Sequence, residues 1–314
     1  MRRKVIQIGD STQLISLPRK WALKHGIKKG DEMEIKEEGN HLVIASDIES
    51  RKKMDIEIKV DGLDKDSLIF LLRGLYIKGY HQIKFTWQNP YVTYHRFGEQ
   101  TTISSIIHKE VRICHGLDII QEKKDSFTLK NISISSVDEF DNILKRIFLL
   151  LMDTSNDLFI GVKNNDYLLL DSFQDRHDNI TRLLNYNLKI LNTMGYSDNN
   201  QTNFLFHIIS SIDFIIDMLK NTARDISKNK LKLSNKAVKI IDWISKDLKS
   251  FHELYYNFDL KKAEKFVKER QEVLDTLQNS INDFSKNEIR ILVMTEQLLE
   301  VLRDIYPARM AMEY

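Results

Sequence analysis

Three patterns predict a multidomain α+β protein. Short alternating strands punctuated by turn residues fill the N-terminal stretch, and a strand–helix–strand alternation follows. From Ser136 onward the apolar spacing is helical almost without break. Composition sets the divisions at residues 1–46 for a small β domain, 54–132 for a small α/β layer and 136–314 for an all-α region. A polar linker, Ser46 to Lys53, follows the first of these, and a chain of 314 residues has room for two or three domains.

In the first domain, Val5-Ile6-Gln7-Ile8 reads as a strand and Gly9-Asp10-Ser11 as a turn. Gln13 to Leu17 is a second strand. Pro18 suits the first turn of a helix over Arg19 to His25, which Gly26 stops. After a turn at Lys29-Gly30-Asp31, Met33–Lys36 and His41–Ile44 pair around Glu38-Gly39-Asn40. Such a strand set is too small to close a core alone.

In the α/β layer, Ile56 to Val60 is an alternating strand. Asp64 to Gly79 is an amphipathic helix with Leu68, Leu71, Leu72 and Leu75 at helical spacing, and His81 to Phe85 is the next strand. Asn89-Pro90 marks a loop. Thr101 to His115 is a helix ended by Gly116, and Leu117–Gln121 with Phe127–Ile132 form a hairpin. No phosphate-cradling glycine loop is present, so the layer is expected to connect and dimerise. The all-α region divides into helices at 137–154, 166–194, 201–228, 234–256, 261–284 and 287–312. Short connections join them, as expected of two three-helix bundles in tandem.

Composition narrows the function. Hydrophobic residues make up 42% of the chain, enough for a real core. No run of about eighteen apolar residues stands out, so no membrane insertion is expected. Met1-Arg2-Arg3-Lys4-Val5 leads into polar alternation rather than an apolar signal region, and the protein is expected to be cytoplasmic. Cys114 is the single cysteine, which leaves no internal disulfide and no cysteine zinc cluster. The net charge is only +2, but it is unevenly spread. From Met1 to Gly30, eight basic residues face Asp10 alone, and the next twenty residues reverse the sign. Such an edge is either a footprint for phosphate backbones or a solvated basic face.

The residues Gly9, Leu17-Pro18, Gly26-Ile27 and Gly30-Asp31, followed by alternating strands, resemble the AbrB/SpoVT family of swapped-hairpin domains from Arg3 to about Ser46. The resemblance implies a small β-barrel shared by two chains that exchange hairpins, hence a homodimer, and it implies DNA binding. Its DNA-contacting candidates here are Arg2, Arg3, Lys4, Arg19, Lys20 and Lys24. The chain departs from the best-known DNA-binding members at Asp10, Ala22 and Leu23, where those carry arginines. Phosphate contact is therefore expected ahead of base reading.

Two bundle helices carry carboxylates four residues apart, Asp213 with Asp217 and Glu300 with Asp304, which places each pair on one face. Such faces either gather oxygen ligands around a metal or are plain solvated surface. Ile212, Phe214, Ile215 and Ile216 are expected to crowd the first pair. From Ser136 to Tyr314 these helices resemble the PhoU family of phosphate-signalling regulators. That resemblance implies tandem three-helix bundles with a divalent or iron-type metal ion on the acidic faces. The implied ligands are Asp213, Asp217, Glu300 and Asp304, with Asp178 and Asp275 from the second helices. Thr181 and Gln271 stand where further acids are expected.

His177, His207 and His252 are expected to be surface or satisfied helix histidines, and Trp21, Trp87 and Trp243 core anchors. Asp198-Asn199-Asn200 and Asn164-Asn165-Asp166 suit helix caps rather than calcium loops. No catalytic motif is visible, so an enzyme is not expected. The order of the segments, with Leu71 to Phe85, resembles the phosphate-uptake regulators of archaea. Two readings follow. One is a phosphate-responsive regulator that binds DNA as a dimer. The other is an interaction protein that restrains a phosphate transporter or sensor through its bundle.

Overall fold

The computed structural model describes residues 2–9, 12–38, 41–45, 54–133 and 135–314. Asp10 and Ser11 of the first turn, Gly39-Asn40 and the linker at 46–53 lie outside the described residues. The chain is a multidomain α+β protein of two compact units, Met1–Lys53 and Met54–Tyr314.

In the first unit, strands β1 (Ile6–Ile8) and β2 (Thr12–Leu14) pair antiparallel, with Ile6 opposite Leu14. Helix α1 (Arg19–Lys24) follows, and its first carbonyl acceptor is Pro18, bonded by the Ala22 amide at 2.9 Å. The helix stops where Gly26 turns to φ +68° and the Ile27 amide reaches back to the Ala22 carbonyl at 2.9 Å. Strands β3 (Glu34–Glu38) and β4 (His41–Ala45) form a second, separate antiparallel ladder. Every residue of this unit whose exposure is described is exposed or half-buried. Ile6, Ile8, Ile35 and Leu42 are each more than half exposed.

The second unit begins with a four-stranded sheet ordered β5 (Asp55–Lys59), β6 (Gln82–Thr86), β10 (Ser126–Asn131) and β9 (Leu117–Lys123). β5 and β6 run parallel, and the other pairs are antiparallel. The register aligns Ile58, Phe85 and Phe127 in one row and Ile56, Ile83, Leu129 and Ile119 in another. These rows meet Leu68, Leu72 and Tyr76 of α2 (Lys65–Lys78) and Ile103 and Ile107 of α3 (Ile103–Val111) in one core. Asp64 caps α2 by accepting from the Ser67 amide, and Thr102 caps α3 through Ser105. A hairpin, β7 (Tyr91–Tyr94) with β8 (Glu99–Thr102), fills the stretch expected to be loop, and it delays α3 to Ile103.

The helical region comprises α4 (Phe140–Asn164), α5 (Tyr167–Asp171), α6 (Phe173–Met194), α7 (Thr202–Lys228), α8 (Asn235–Tyr256), α9 (Leu260–Asn279) and α10 (Lys286–Ala311). Three expectations are corrected. The first bundle helix runs ten residues past Thr154, because Thr154 turns its hydroxyl onto the Leu150 carbonyl and Leu158 and Val162 continue the buried stripe. The helix expected over 166–194 breaks at Ser172, whose hydroxyl takes the Leu169 carbonyl. The last correction concerns the two bundles, which are not separate. α7 packs on both α6 and α10, and α4 on both α6 and α8, so one apolar core runs through both repeats. A smaller core of Ile240, Val273, Leu277, Phe284 and Leu299 lies within the second repeat.

The caps behave as their residues require. Asp166 accepts from the Leu169 amide, Asp198 from Asn200, and Ser285 with Glu288 forms a reciprocal capping box. Trp87 is buried, whereas Trp21 and Trp243 are half-buried. The stretch Asn199–Lys228 is long and apolar enough to cross a membrane by length and composition, contrary to the expectation from its sequence. In this fold its isoleucines are the bundle core.

The α/β layer seats on α6. The Asn192 amide donates to the Ile77 carbonyl at 3.2 Å, and the Lys189 ammonium sits 4.9 Å from the centre of the Tyr76 ring. Gly79, at φ +86°, ends α2 against Thr193, where an added Cβ would lie 2.3 Å from Cγ2. Gly79→Ala should therefore cost at least about 1–2 kcal/mol from the left-handed backbone alone, and more from the clash. Thermal unfolding should show a fall of several degrees, part of which Thr193→Ser recovers by removing the offending methyl.

Candidate functional site

Two charged regions carry the functional candidates. In the first unit, Arg2, Arg3, Lys4, Arg19, Lys20 and Lys24 are all exposed. Arg19 and Lys20 open α1 and Lys24 lies in its last turn, so one short helix sets three of the six. Lys28 and Lys29 follow at the turn, where the Lys28 amide donates to Asp31 at 2.7 Å and holds the loop shut. The arrangement presents cations without a bulky reader. Leu23 is 71% exposed on the same helix, and Ala22 beside it has no hydrogen-bonding side chain. Phosphate neutralisation is the chemistry such a surface supports.

The second region lies between α6 and α7. His177 is nearly buried, and both of its ring nitrogens face carboxylates. Nδ1 is 2.9 Å from Asp178 Oδ1 and Nε2 is 3.0 Å from Asp217 Oδ1. Both nitrogens can donate only in the imidazolium form. Burial alone would lower the His177 pKa, but the bonds to Asp178 and Asp217 outweigh it and raise the pKa above the usual histidine value. Lys220, one turn on from Asp217, also bonds that carboxylate. Burial works against ionisation of Asp217, and the two cations overcome it and hold its pKa low. Asp178 is depressed in the same way by His177, against its own burial, and also accepts from Gln174 at 2.8 Å.

Asp213 is the contrasting member. Burial and the neighbouring Asp217 push its pKa up, opposed by Arg73, His177 and a bond from the Thr181 hydroxyl at 3.3 Å. Thr181, standing where the family resemblance implies an acid, thus donates to Asp213 and lies 3.3 Å from His177 Nε2, linking the two. Arg73 comes from α2 and is itself bonded at 2.7 Å to the buried Glu110 of α3. Three carboxylates of the first repeat therefore face three cations of the protein. The expected crowding by Phe214 is corrected: its ring points away, 63% exposed, while Ile212, Ile215 and Ile216 are buried.

The second repeat solves its charge differently. Arg270, buried on α9, bonds Glu300 and donates to the Leu299 carbonyl at 3.2 Å. Arg303 reaches Glu300 at 2.9 Å and Asp304 at 3.2 Å, and Asp275 accepts from Gln271 at 2.8 Å. Asp247 of α8, buried and with one oxygen unpartnered, is pushed up to about 7 by burial and Glu269, against Arg270.

The structure thus joins Asp178, Asp213 and Asp217 and leaves Glu300, Asp304 and Asp275 in local pairs. This arrangement does not fit the expected metal ion. Asp178, Asp217, Glu300 and Asp304 already pair with a protein cation, Asp213 is bonded by the Thr181 hydroxyl, and among the described residues no three of His, Cys, Asp and Glu form a set that could hold one. Sequence reasoning dismissed His177 and did not single out Arg73, Lys220, Arg270 or Asp247. The available signal was Thr181 four residues after His177, which marks one helix face. His207 lies exposed with a ring nitrogen 3.1 Å from the Asp304 carbonyl, and burial lowers the pKa of His252.

Because the folded pKa of His177 is raised, its stabilisation is fully present below the unfolded histidine value of about 6.5 and is lost as pH rises through the folded one. His177→Gln should lower the unfolding temperature by several degrees at pH 6, consistent with about 1–3 kcal/mol for a buried partner removed. The gap between variant and parent should narrow toward pH 9. Calorimetry across that range checks it, and a gap independent of pH would mean that the imidazole is neutral.

Comparison with known proteins bears on the first region. The family model described as antidote-toxin recognition MazE, bacterial antitoxin, matches residues 6–60. No characterised protein and no solved structure matches the chain. The match supports a MazE/AbrB-like N-terminal domain, a class that usually acts as a dimer and binds DNA. It ends inside the second unit, just beyond β5, whereas the sequence places the domain end at residue 46.

Proposed function

We propose that the protein is a dimeric, DNA-binding regulator with no catalytic step. In this reading the N-terminal unit pairs with that of a second copy and holds DNA phosphates. The single observation that carries the reading is the state of that unit. Its strands and the residues flanking them leave Val5, Ile6, Ile8, Leu14, Ile15, Ile35 and Leu42 exposed, and the same small unit exposes its basic side chains. A second copy would cover the apolar strands, and a polyanion would meet the cations. The matched family model supports this assignment over residues 6–60. The second unit would be the sensing body. Its resemblance to phosphate-signalling bundles supports a phosphate-responsive role, for which genome-wide crosslinking to DNA at high and low phosphate is the test.

The second reading is an interaction protein that dimerises without DNA and restrains a phosphate transporter or sensor. The exposed Leu23 and the arginine-free centre of α1 favour it. So does a matched family defined by toxin recognition.

One measurement tests the dimerisation that both readings share, and a second separates them. Light scattering should give a dimer for the whole chain and a monomer after removal of residues 1–53. A dimer that survives the deletion would place the pairing in the second unit. Binding to duplex DNA should weaken with salt, and Arg3→Ala/Arg19→Ala/Lys20→Ala should reduce the logarithmic salt slope by about three, near one for each phosphate no longer neutralised. An unchanged slope would assign these side chains to solvent and favour the interaction reading.

A further inference from the structure

A cleft of about 470 Å³ opens between α4, α6 and the loop that follows α3. Its wall carries Arg146 from α4, Arg182 from α6 and His115 from the loop, together with Asn142, Ile143, Leu183, Tyr186 and Glu139. None of these residues belongs to the acidic seam or to the basic N-terminal unit. Among the described residues, neither arginine has an ion-pair partner. Arg182 is held only by its own helix, donating from Nη2 to Asn179 Oδ1 at 3.0 Å, which leaves the rest of the guanidinium free.

The cleft's one carboxylate is already engaged. The buried Tyr186 hydroxyl donates to Glu139 Oε2 at 2.9 Å within the same cleft. Tyr186 is fixed from the other side as well, with the His115 ring edge-on at 4.8 Å. The loop bearing His115 is anchored in turn, because the Tyr76 hydroxyl donates to the His115 carbonyl at 2.8 Å. A floor of Tyr186, Ile143 and Leu183 is therefore preformed beneath two unpaired guanidinium groups.

We propose that this cleft binds a small organic oxyanion, a phosphate or carboxylate carried on a body with an apolar face. Guanidinium groups present paired donors that match the oxygens of either head group, and they remain charged at every physiological pH. Asn142 adds a neutral donor, and its place at the first turn of α4 lets the helix dipole favour negative charge there. Ile143, Leu183 and the Tyr186 ring give the body an apolar surface, and the volume lies in the range of small-ligand sites. Because α4, α6 and the α3 loop all contribute, a bound ligand would contact the bundle and the α/β layer at once. The inference is independent of DNA binding by the N-terminal unit.

The test is calorimetric titration of the full chain with four probes: inorganic phosphate, phenyl phosphate, benzoate and phenol. Phenyl phosphate or benzoate should bind at least tenfold more tightly than inorganic phosphate, and phenol should not bind. Whichever of the first two binds names the head group. Arg146→Gln and Arg182→Gln should each weaken that binding tenfold or more while leaving the unfolding temperature within a degree of the parent. Arg182→Lys, which keeps the charge and loses the fork, should fall between them and the parent. If no anionic probe binds at millimolar concentration, the proposal fails. It also fails if binding is unchanged in both glutamine variants, or if phenol binds as well as phenyl phosphate.

Discussion

Helix α7 must bury one broad apolar face along its whole length, and the second unit is arranged to let it. Leu205, Ile208, Ile209, Ile212, Ile215, Ile216, Leu219 and Ile226 are all withdrawn from water. No single neighbour could cover them. α6 takes one side, α10 another, and α5 closes on the C-terminal end. The length that makes this helix resemble a membrane span is the reason two three-helix repeats fuse into one core. At roughly 1.5–3 kcal/mol for each large aliphatic side chain withdrawn from water, this one helix contributes a substantial share of the unit's burial energy.

The remaining face of α7 is largely polar, with Phe206 and Phe214 also exposed, and its charge has to be answered within the fold. Asp213 and Asp217 lie one turn apart next to α6, where Asp178 adds a third carboxylate. Left alone they would repel and lose hydration together. The chain answers with His177, Lys220 and Arg73, drawn from α6, from α7 and from the α/β layer. Electrostatic balance in the bundle therefore depends on the layer being seated, and Arg73 ties that balance to Glu110 in the layer's own interior. The second repeat supplies its cations from its own helices, through Arg270 and Arg303.

The N-terminal unit obeys the opposite constraint. It has two short ladders, one helix of six residues and no buried residue among those whose exposure is described. Its exposed isoleucines and leucines are the kind of surface that a stable fold covers, and the segment that exposes them also carries eight basic residues against Asp10 alone over its first thirty positions. Apolar incompleteness and positive charge in one small unit are two halves of a single interface argument: one half asks for a second copy, the other for a polyanion.

Much of this was legible in the sequence. Helical periodicity from Ser136, the alternating strands before it, the stops at Gly26 and Gly79 and the caps at Asp166 and Asp198 all depend on residues within a few positions of one another. Short-range rules suffice there, because a cap or a turn is settled by its own side chain and backbone. They failed where two local preferences overlapped. Glu99 to Thr102 is polar and borders a helix start, so its pairing with Tyr91 to Tyr94 was hidden. The acidic pairs were equally visible, but not their partners. His177 lies 40 positions before Asp217, and Arg73 is 140 before Asp213, so which cation meets which carboxylate depends on how α2, α6 and α7 pack. The same holds for Arg146 and Arg182, unremarkable on separate helices and joined only by the cleft. The sequence by itself determined which segments are helix or strand and which surfaces carry charge. Tertiary structure alone decided which charges are paired and which stay free, because pairing depends on distances that only packing sets.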